Sequence, residues 1–174
     1  MNAVCWYGSG DVRVETMPDP VILNPRDAIV RTTLTAICGS DLHVFFGRES
    51  GLDAGTVMGH EFVGEVVAKG KAVQRIPLRA RVMVPFTTSC GRCDLCRRGL
   101  TARCLHGQLF GWVQNGRGLQ GGQAALVRVP WADTTALPLH DIPARDGLLL
   151  GDILATGYHC ARQGITPGTR HAVL

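Results

Sequence analysis

Four cysteines, Cys90, Cys93, Cys96 and Cys104, are spaced C-x2-C-x2-C-x7-C within one short glycine- and arginine-containing stretch. The spacing is that of a closed tetrathiolate zinc site, because zinc takes four thiolates tetrahedrally with no geometric preference of its own. A loop that returns four sulfurs to one point can be held by the metal where it has no hydrophobic core. The competing reading is a pair of disulfides, but cysteines this close are awkward to bridge, and the amino terminus carries nothing like a secretory signal. Seven cysteines without such a signal point to metal binding in a reducing compartment, and the expected location is cytoplasmic.

The 174-residue chain is 45% hydrophobic, which suffices for one domain with a core, or one domain plus a fragment of a second. No apolar run approaches a membrane span, so no membrane partner is expected. The net charge of +4 is carried by scattered arginines, with Lys69 and Lys71 the only lysines. Arg92, Arg97, Arg98 and Arg103 surround the four cysteines. They read as a solvated face in preference to a nucleic-acid surface, whose binding would fall steeply with salt.

Short strands bounded by glycine and proline dominate the first 130 residues. Asp11–Glu15 alternates polar and apolar residues, and Ala28–Ile37, Glu61–Ala68, Arg81–Pro85 and Ala124–Pro130 are rich in β-formers. The polar stretch Gln114–Gln123 reads as loop. Arg145–Gln163 changes to helical spacing, with Leu148, Leu149, Ile153, Leu154 and Tyr158 on one face and Gly164 as cap. Pro167-Gly168 then turns into a further strand, His171–Leu174. The pattern predicts a mainly β barrel or sandwich with a few helices. Cys5, beside Trp6 and Tyr7, and Cys160, late in the helix, read as core thiols.

A second constellation carries chemistry. Cys38 ends a predicted strand, and His60 and Glu61 open the next, so a thiolate, an imidazole and a carboxylate stand at strand ends. Cys plus His leaves a zinc site short of ligands, as a catalytic site requires, since a position must stay open for water or substrate. Asp152 is the candidate third ligand.

Together, Cys38-Gly-Ser-Asp-x-His43, Gly59-His60-Glu61, the four-cysteine lobe and Leu150-Gly-Asp152-Ile-Leu-Ala-Thr-Gly-Tyr-His resemble the zinc-dependent alcohol dehydrogenases of the medium-chain dehydrogenase/reductase superfamily. The resemblance covers nearly the whole chain. It implies a GroES-like, partly closed β barrel with a zinc-binding lobe over residues 1–164, carrying two zincs. It also implies NAD(P)-linked oxidation of a small alcohol to an aldehyde or ketone through a zinc-bound alkoxide. On this resemblance Cys38, His60 and Asp152 hold the catalytic zinc, with Glu61 beside it, and Cys90, Cys93, Cys96 and Cys104 hold the structural one. Ser40 takes the alcohol proton, His43 relays it to solvent, and Asp41 orients the His60 imidazole. Aspartate at 152, where many members have cysteine, resembles the branch that contains formaldehyde dehydrogenase.

Two departures from the family pattern shape the expectations. A nicotinamide cofactor, NAD or NADP, is bound in the family by a Rossmann domain, and residues 165–174 supply only what resembles its first strand. The glycines at 116–118 and 121–122 do not lie between a strand and a helix, so no cofactor site is assigned to them. A chain without that domain is expected to be inactive alone, and to pair with it or self-associate through the apolar end near Leu148, Leu149, Leu154, Val173 and Leu174. The alternative is a zinc-stabilised interaction module derived from such an enzyme, without chemistry. The second departure is Pro77-Leu-Arg79-Ala80, where relatives have a glycine and an aspartate. A turn needing positive φ would strain Arg79.

Overall fold

The computed structural model describes residues 1–164 and 168–170. The expected strand His171–Leu174, with Val173 and Leu174, lies outside the described residues. The elements run β1 (Asn2–Gly8), β2 (Asp11–Thr16), β3 (Ala28–Thr35), α1 (Gly39–Phe45), β4 (Thr56–Val57), β5 (Phe62–Lys69) and β6 (Arg81–Val84). They continue with α2 (Asp94–Arg97), a 3-10 turn (Thr101–Arg103), β7 (Trp112–Gln114), β8 (Arg117–Leu119), β9 (Leu126–Val129), α3 (Ala132–Thr135), β10 (Leu137–Pro138), α4 (Ala144–Leu150) and α5 (Ile153–Gly164).

The central sheet has the order β10-β6-β5-β3-β9, and every pairing in it is antiparallel. Its middle strand, β5, begins with three buried residues in succession, Phe62, Val63 and Gly64, because apolar layers cover both of its faces. On one face Phe62 meets Phe110 edge to face, ring centres 5.3 Å apart, among Val30, Val66, Val82, Val84 and Val129. On the other, Val63 and Met83 pack with Leu139 and Leu148 of the carboxyl-terminal segment. Each such side chain contributes roughly 1.5–3 kcal/mol by leaving water. A second sheet, β2-β1-β4, is stitched to the first through Val4 N–H to Gln123 O (2.9 Å), Ala125 N–H to Asn2 O (3.0 Å) and Thr32 N–H to Ala125 O (3.1 Å). The sheets of the described residues wrap the core without closing into a barrel, so the GroES-like architecture is realised as an open one.

Three sequence expectations are corrected. Gln114–Gln123 is not all loop: β7 and β8 form a hairpin whose two turn residues, Asn115 (φ 52°) and Gly116 (φ 70°), are both left-handed. That is the type I′ turn which Asn-Gly favours, since its twist matches that of the flanking strands. The single helix expected over Arg145–Gln163 is two, α4 and α5. Gly151 is a poor helix former, and Asp152 restarts the helix, its carbonyl accepting from Thr156 N–H (2.9 Å) and its carboxylate from the Thr156 hydroxyl (3.2 Å). Of the apolar face assigned to that helix, Leu148 is buried, whereas Leu154 and Tyr158 are 50% and 63% exposed. Cys160 is exposed and is no core thiol, while Cys5 is fully buried.

Arg79 has φ 64°, the strain anticipated for a non-glycine residue at this turn. The turn is closed by Ala80 N–H to Pro77 O (3.3 Å), and Arg79 N–H donates to Val66 O (2.8 Å). Those bonds hold the residue in a conformation its Cβ disfavours.

Candidate metal and substrate site

The four lobe sulfurs lie within 4.8 Å of one another. Cys93 caps α2, Cys96 lies within it, and Cys104 follows the 3-10 turn, so two short helical turns bring the thiols inward. Backbone N–H groups point at the sulfurs: Cys90 N–H to Cys104 Sγ (3.3 Å), Cys93 N–H to Cys90 Sγ (3.4 Å) and His106 N–H to Cys104 Sγ (3.4 Å). No disulfide forms, and all seven cysteines are free.

The lobe electrostatics test the fit to a cation. The N–H groups of Cys96 and Leu105 pull the Cys93 thiol down to about 6, whereas burial, with a hydrogen bond to Cys93, pushes Cys96 up to about 12. Burial opposes ionisation of Cys90 too, but the N–H groups of Arg92 and Cys93 outweigh it and its pKa falls. Four sulfurs this close cannot all carry charge unaided, so one thiol ionises at the expense of another. A bound dication removes that conflict, and zinc is the soft-ligand, tetrahedral choice. The surrounding Arg92, Arg97, Arg98 and Arg103 are exposed, with Arg98 facing Asp94 at 3.5 Å.

The second donor set is assembled from three separated segments. Cys38 caps α1, His60 and Glu61 lead into β5, and Asp152 caps α5. One donor atom from each of the four lies within 4.8 Å of all the others. The α1 turn is locked by Asp41, whose carboxylate accepts from Cys38 N–H (2.8 Å) while its own N–H donates to Cys38 O (3.1 Å). The other Asp41 oxygen faces His60 Nδ1 at 3.6 Å. This pairing favours the proton on Nδ1 and leaves the Nε2 lone pair available, the usual second contact of a metal-ligating histidine. Nε2 itself lies 3.2 Å from Ser40 Oγ and 3.9 Å from Glu61 Oε1.

Burial makes this set expensive without a cation. Glu61 is 4% exposed, Asp41 7% and His60 9%. Two carboxylates and a thiol converging on one buried imidazole need positive charge beyond what that ring can give. Cys, His and two carboxylates are zinc donors by type. All four expected residues are therefore together, with Ser40 against them. His43 stands one helical turn from Ser40, half exposed, its Nδ1 3.6 Å from Glu49.

Beside the donors opens a cavity of about 340 Å³. Its lining combines Ser40, His60 and Asp152 with Phe86, Leu109, Phe110 and Trp112. The aromatic lining and Glu49 were not singled out from the sequence. Phe86 lies two residues past the end of β6 and Trp112 opens β7, but nothing local in the sequence states that these strand ends meet. The Asn115-Gly116 turn was the available signal for the hairpin that brings Trp112 there.

A β scaffold carrying a cluster of four thiols and a separate cysteine, histidine and carboxylate cluster beside a cavity presents two donor sets of the types that hold metal ions. Comparison with known proteins identifies its family. Residues 24–140 match the alcohol dehydrogenase GroES-like domain. A medium chain reductase/dehydrogenase of Acremonium is 42% identical over 166 residues, 95% of this chain and 56% of the relative. The glutathione-independent formaldehyde dehydrogenase of Pseudomonas aeruginosa is 39% identical over 186 residues, 97% of this chain and 46% of that enzyme. Among solved structures, the alcohol dehydrogenase TADH from Thermus sp. ATN1 superposes with a TM-score of 0.88 at 37% identity, over 94% of this chain and 47% of its own. The chain belongs to the zinc-type alcohol dehydrogenases of the medium-chain family. It spans about half the length of the relatives it matches. No described helix is long and apolar enough to cross a membrane.

Proposed function

We propose that this chain forms the catalytic part of a zinc-dependent, NAD(P)-linked dehydrogenase acting on a small alcohol or aldehyde. The observation that carries the reading is the convergence of Cys38, His60, Glu61 and Asp152 donors within 4.8 Å, at the wall of a cavity that Ser40 also lines. Cys38, His60 and Asp152 would hold a zinc, with Glu61 as the neighbouring carboxylate. Cys90, Cys93, Cys96 and Cys104 would hold a second. When bound at the open site, zinc supplies Lewis acidity that makes an alcohol proton easier to remove near neutral pH.

The protein's own groups then do the proton work. Asp41 keeps the His60 ring oriented with Nδ1–H toward its carboxylate. Ser40, no longer opposite a free Nε2 lone pair, turns its hydroxyl to the substrate oxygen, accepts that proton and passes its own to His43. His43, on the same face of α1 and half exposed, releases it to solvent. Phe86, Leu109, Phe110 and Trp112 keep water from the reacting carbon. A nicotinamide cofactor would supply the hydride acceptor, and in this reading it would be held by a dinucleotide-binding domain whose first strand falls near residues 165–174.

The reading is tested by elemental analysis of the parent and of Asp152→Ala. The expected result is zinc at both donor sets in the parent and selective loss from the open site in the variant, with the melting transition retained. Equal zinc in both proteins would remove Asp152 from the ligand set.

A further inference from the structure

The cavity beside the open donor set has a one-sided charge. Its ionisable lining residues are Asp41, Glu49, His60 and Asp152, and neither lysine nor arginine lines it. His60 itself faces carboxylates on both sides, Asp41 at 3.6 Å from Nδ1 and Glu61 at 3.9 Å from Nε2. A dication at the donors is itself faced by the Cys38 thiolate and by the Glu61 and Asp152 carboxylates. The space left for substrate is therefore bounded by net negative charge even when the metal is present.

Glu49 differs from the other carboxylates. It is not among the four donors, and among the described residues it pairs with His43 at 3.6 Å, with both side chains about half exposed. Its loop is nonetheless well placed. Arg48 N–H donates to His43 O (2.8 Å), and Asp53 N–H donates to Val113 O (2.8 Å). The Asp53 carboxylate in turn accepts from Asn115 N–H (3.0 Å) and Gly116 N–H (2.7 Å) at the hairpin tip. The segment that carries Glu49 is thus tied on one side to α1 and on the other to the hairpin that carries Trp112. A carboxylate and an aromatic ring are held as neighbouring parts of one cavity lining.

We propose that Glu49 is a specificity-determining residue, and that the site takes alcohols with an apolar or aromatic body and a cationic ammonium substituent, while rejecting those bearing a carboxylate or phosphate. The proposal rests on the reading of this cavity as the alcohol site. An ammonium group gains the Glu49 carboxylate beside the aromatic rings of Trp112 and Phe86, which line the same cavity. An anionic substituent of the same size meets repulsion from Glu49, with no cation of the lining to offset it. A cavity of about 340 Å³ accommodates a benzyl alcohol with one further substituent.

The test measures binding to the zinc-loaded chain by ligand-observed NMR, with three probes of one shape. These are benzyl alcohol, para-(aminomethyl)benzyl alcohol and para-(hydroxymethyl)benzoate. The expected order is ammonium tightest and carboxylate weakest, with about tenfold or more between the two. Glu49→Gln should weaken the ammonium probe about two- to fivefold, the range for a half-exposed ion pair, and leave benzyl alcohol unchanged. Glu49→Lys should narrow or invert the order. Carboxylate binding as tight as ammonium binding, or an ammonium preference unchanged in both variants, overturns the proposal while benzyl alcohol binding preserves the site. Absence of benzyl alcohol binding to the zinc-loaded parent overturns the site reading, and this proposal with it.

Discussion

Gly59→Ala should damage the fold and the open site together. Gly59 has φ 86°, a region where an L-residue costs about 1–2 kcal/mol. A Cβ there would also lie 2.4 Å from Gln123 Cγ and 2.9 Å from the Gln123 backbone nitrogen. That nitrogen cannot yield freely, because Gln123 N–H donates to Met58 O (2.9 Å) and Gln123 O accepts from Val4 N–H (2.9 Å), the seam between the two sheets. Overpacking of this kind adds about 1–3 kcal/mol, so the sum is roughly 2–5 kcal/mol. In a domain of this size that lowers the melting temperature by roughly 4–20 °C. Since His60 is the next residue, a backbone shift also moves Nε2 from the other donors, and zinc should leave the open site preferentially. Gly99→Ala is the control: φ is 80°, but nothing lies within 4 Å of the new Cβ, so only the conformational cost of about 1–2 kcal/mol applies. Melting curves and zinc content of the two variants, measured side by side, check the reasoning. A Gly59→Ala protein that melts within about 2 °C of the parent and keeps all its zinc would refute it.

Cys93→Ser should empty the lobe of zinc and broaden the melting transition, checked by elemental analysis with circular dichroism, because a closed site loses a thiolate whose pKa the backbone has already lowered to about 6. Arg79→Gly should stabilise the chain by about 0.5–1 kcal/mol, read as a higher melting temperature, since relief at φ 64° outweighs the added freedom of the unfolded chain. Burial, with the Glu15 carboxylate nearby, pushes the Cys5 thiol up, so its thiolate fraction at any given pH is lower than that of an ordinary thiol. Alkylation followed by mass spectrometry should therefore label exposed Cys160 first, and raising the pH from 7 to about 9 should leave Cys5 the slower of the two.

Both donor sets were legible in the sequence, for different reasons. The lobe is local: C-x2-C-x2-C-x7-C closes on itself whatever the rest of the chain does. Cys38, the pair His60-Glu61 and Asp152 come from three distant segments; predicted strand ends drew the first two together, but no periodicity brings the start of α5 against the start of β5, and the ligand roles rested on resemblance. The strand series was readable because short alternating runs between glycines and prolines admit few other folds. The break at Gly151-Asp152 was not, because Leu148 to Tyr158 keep a helical spacing across it, and the capping role of Asp152 shows only once Thr156 is seen bonding back to it. The β7–β8 hairpin was missed despite its Asn-Gly turn because its polar, glycine-rich strands are only three residues each. With it went the aromatic lining and the anchor of the Glu49 loop, which depend on strand ends meeting in space.

Two separate metal sites, one closed and one open, are proposed for this β scaffold. Zinc per chain, determined by elemental analysis of protein purified without chelator, tests that proposal most directly when read across the parent, Cys38→Ser and Cys93→Ser. About two equivalents are expected in the parent and about one in each variant, with Cys38→Ser keeping the parent's melting transition and Cys93→Ser broadening it. A parent that holds no zinc, or a Cys38→Ser protein that still holds two equivalents, would contradict the proposal.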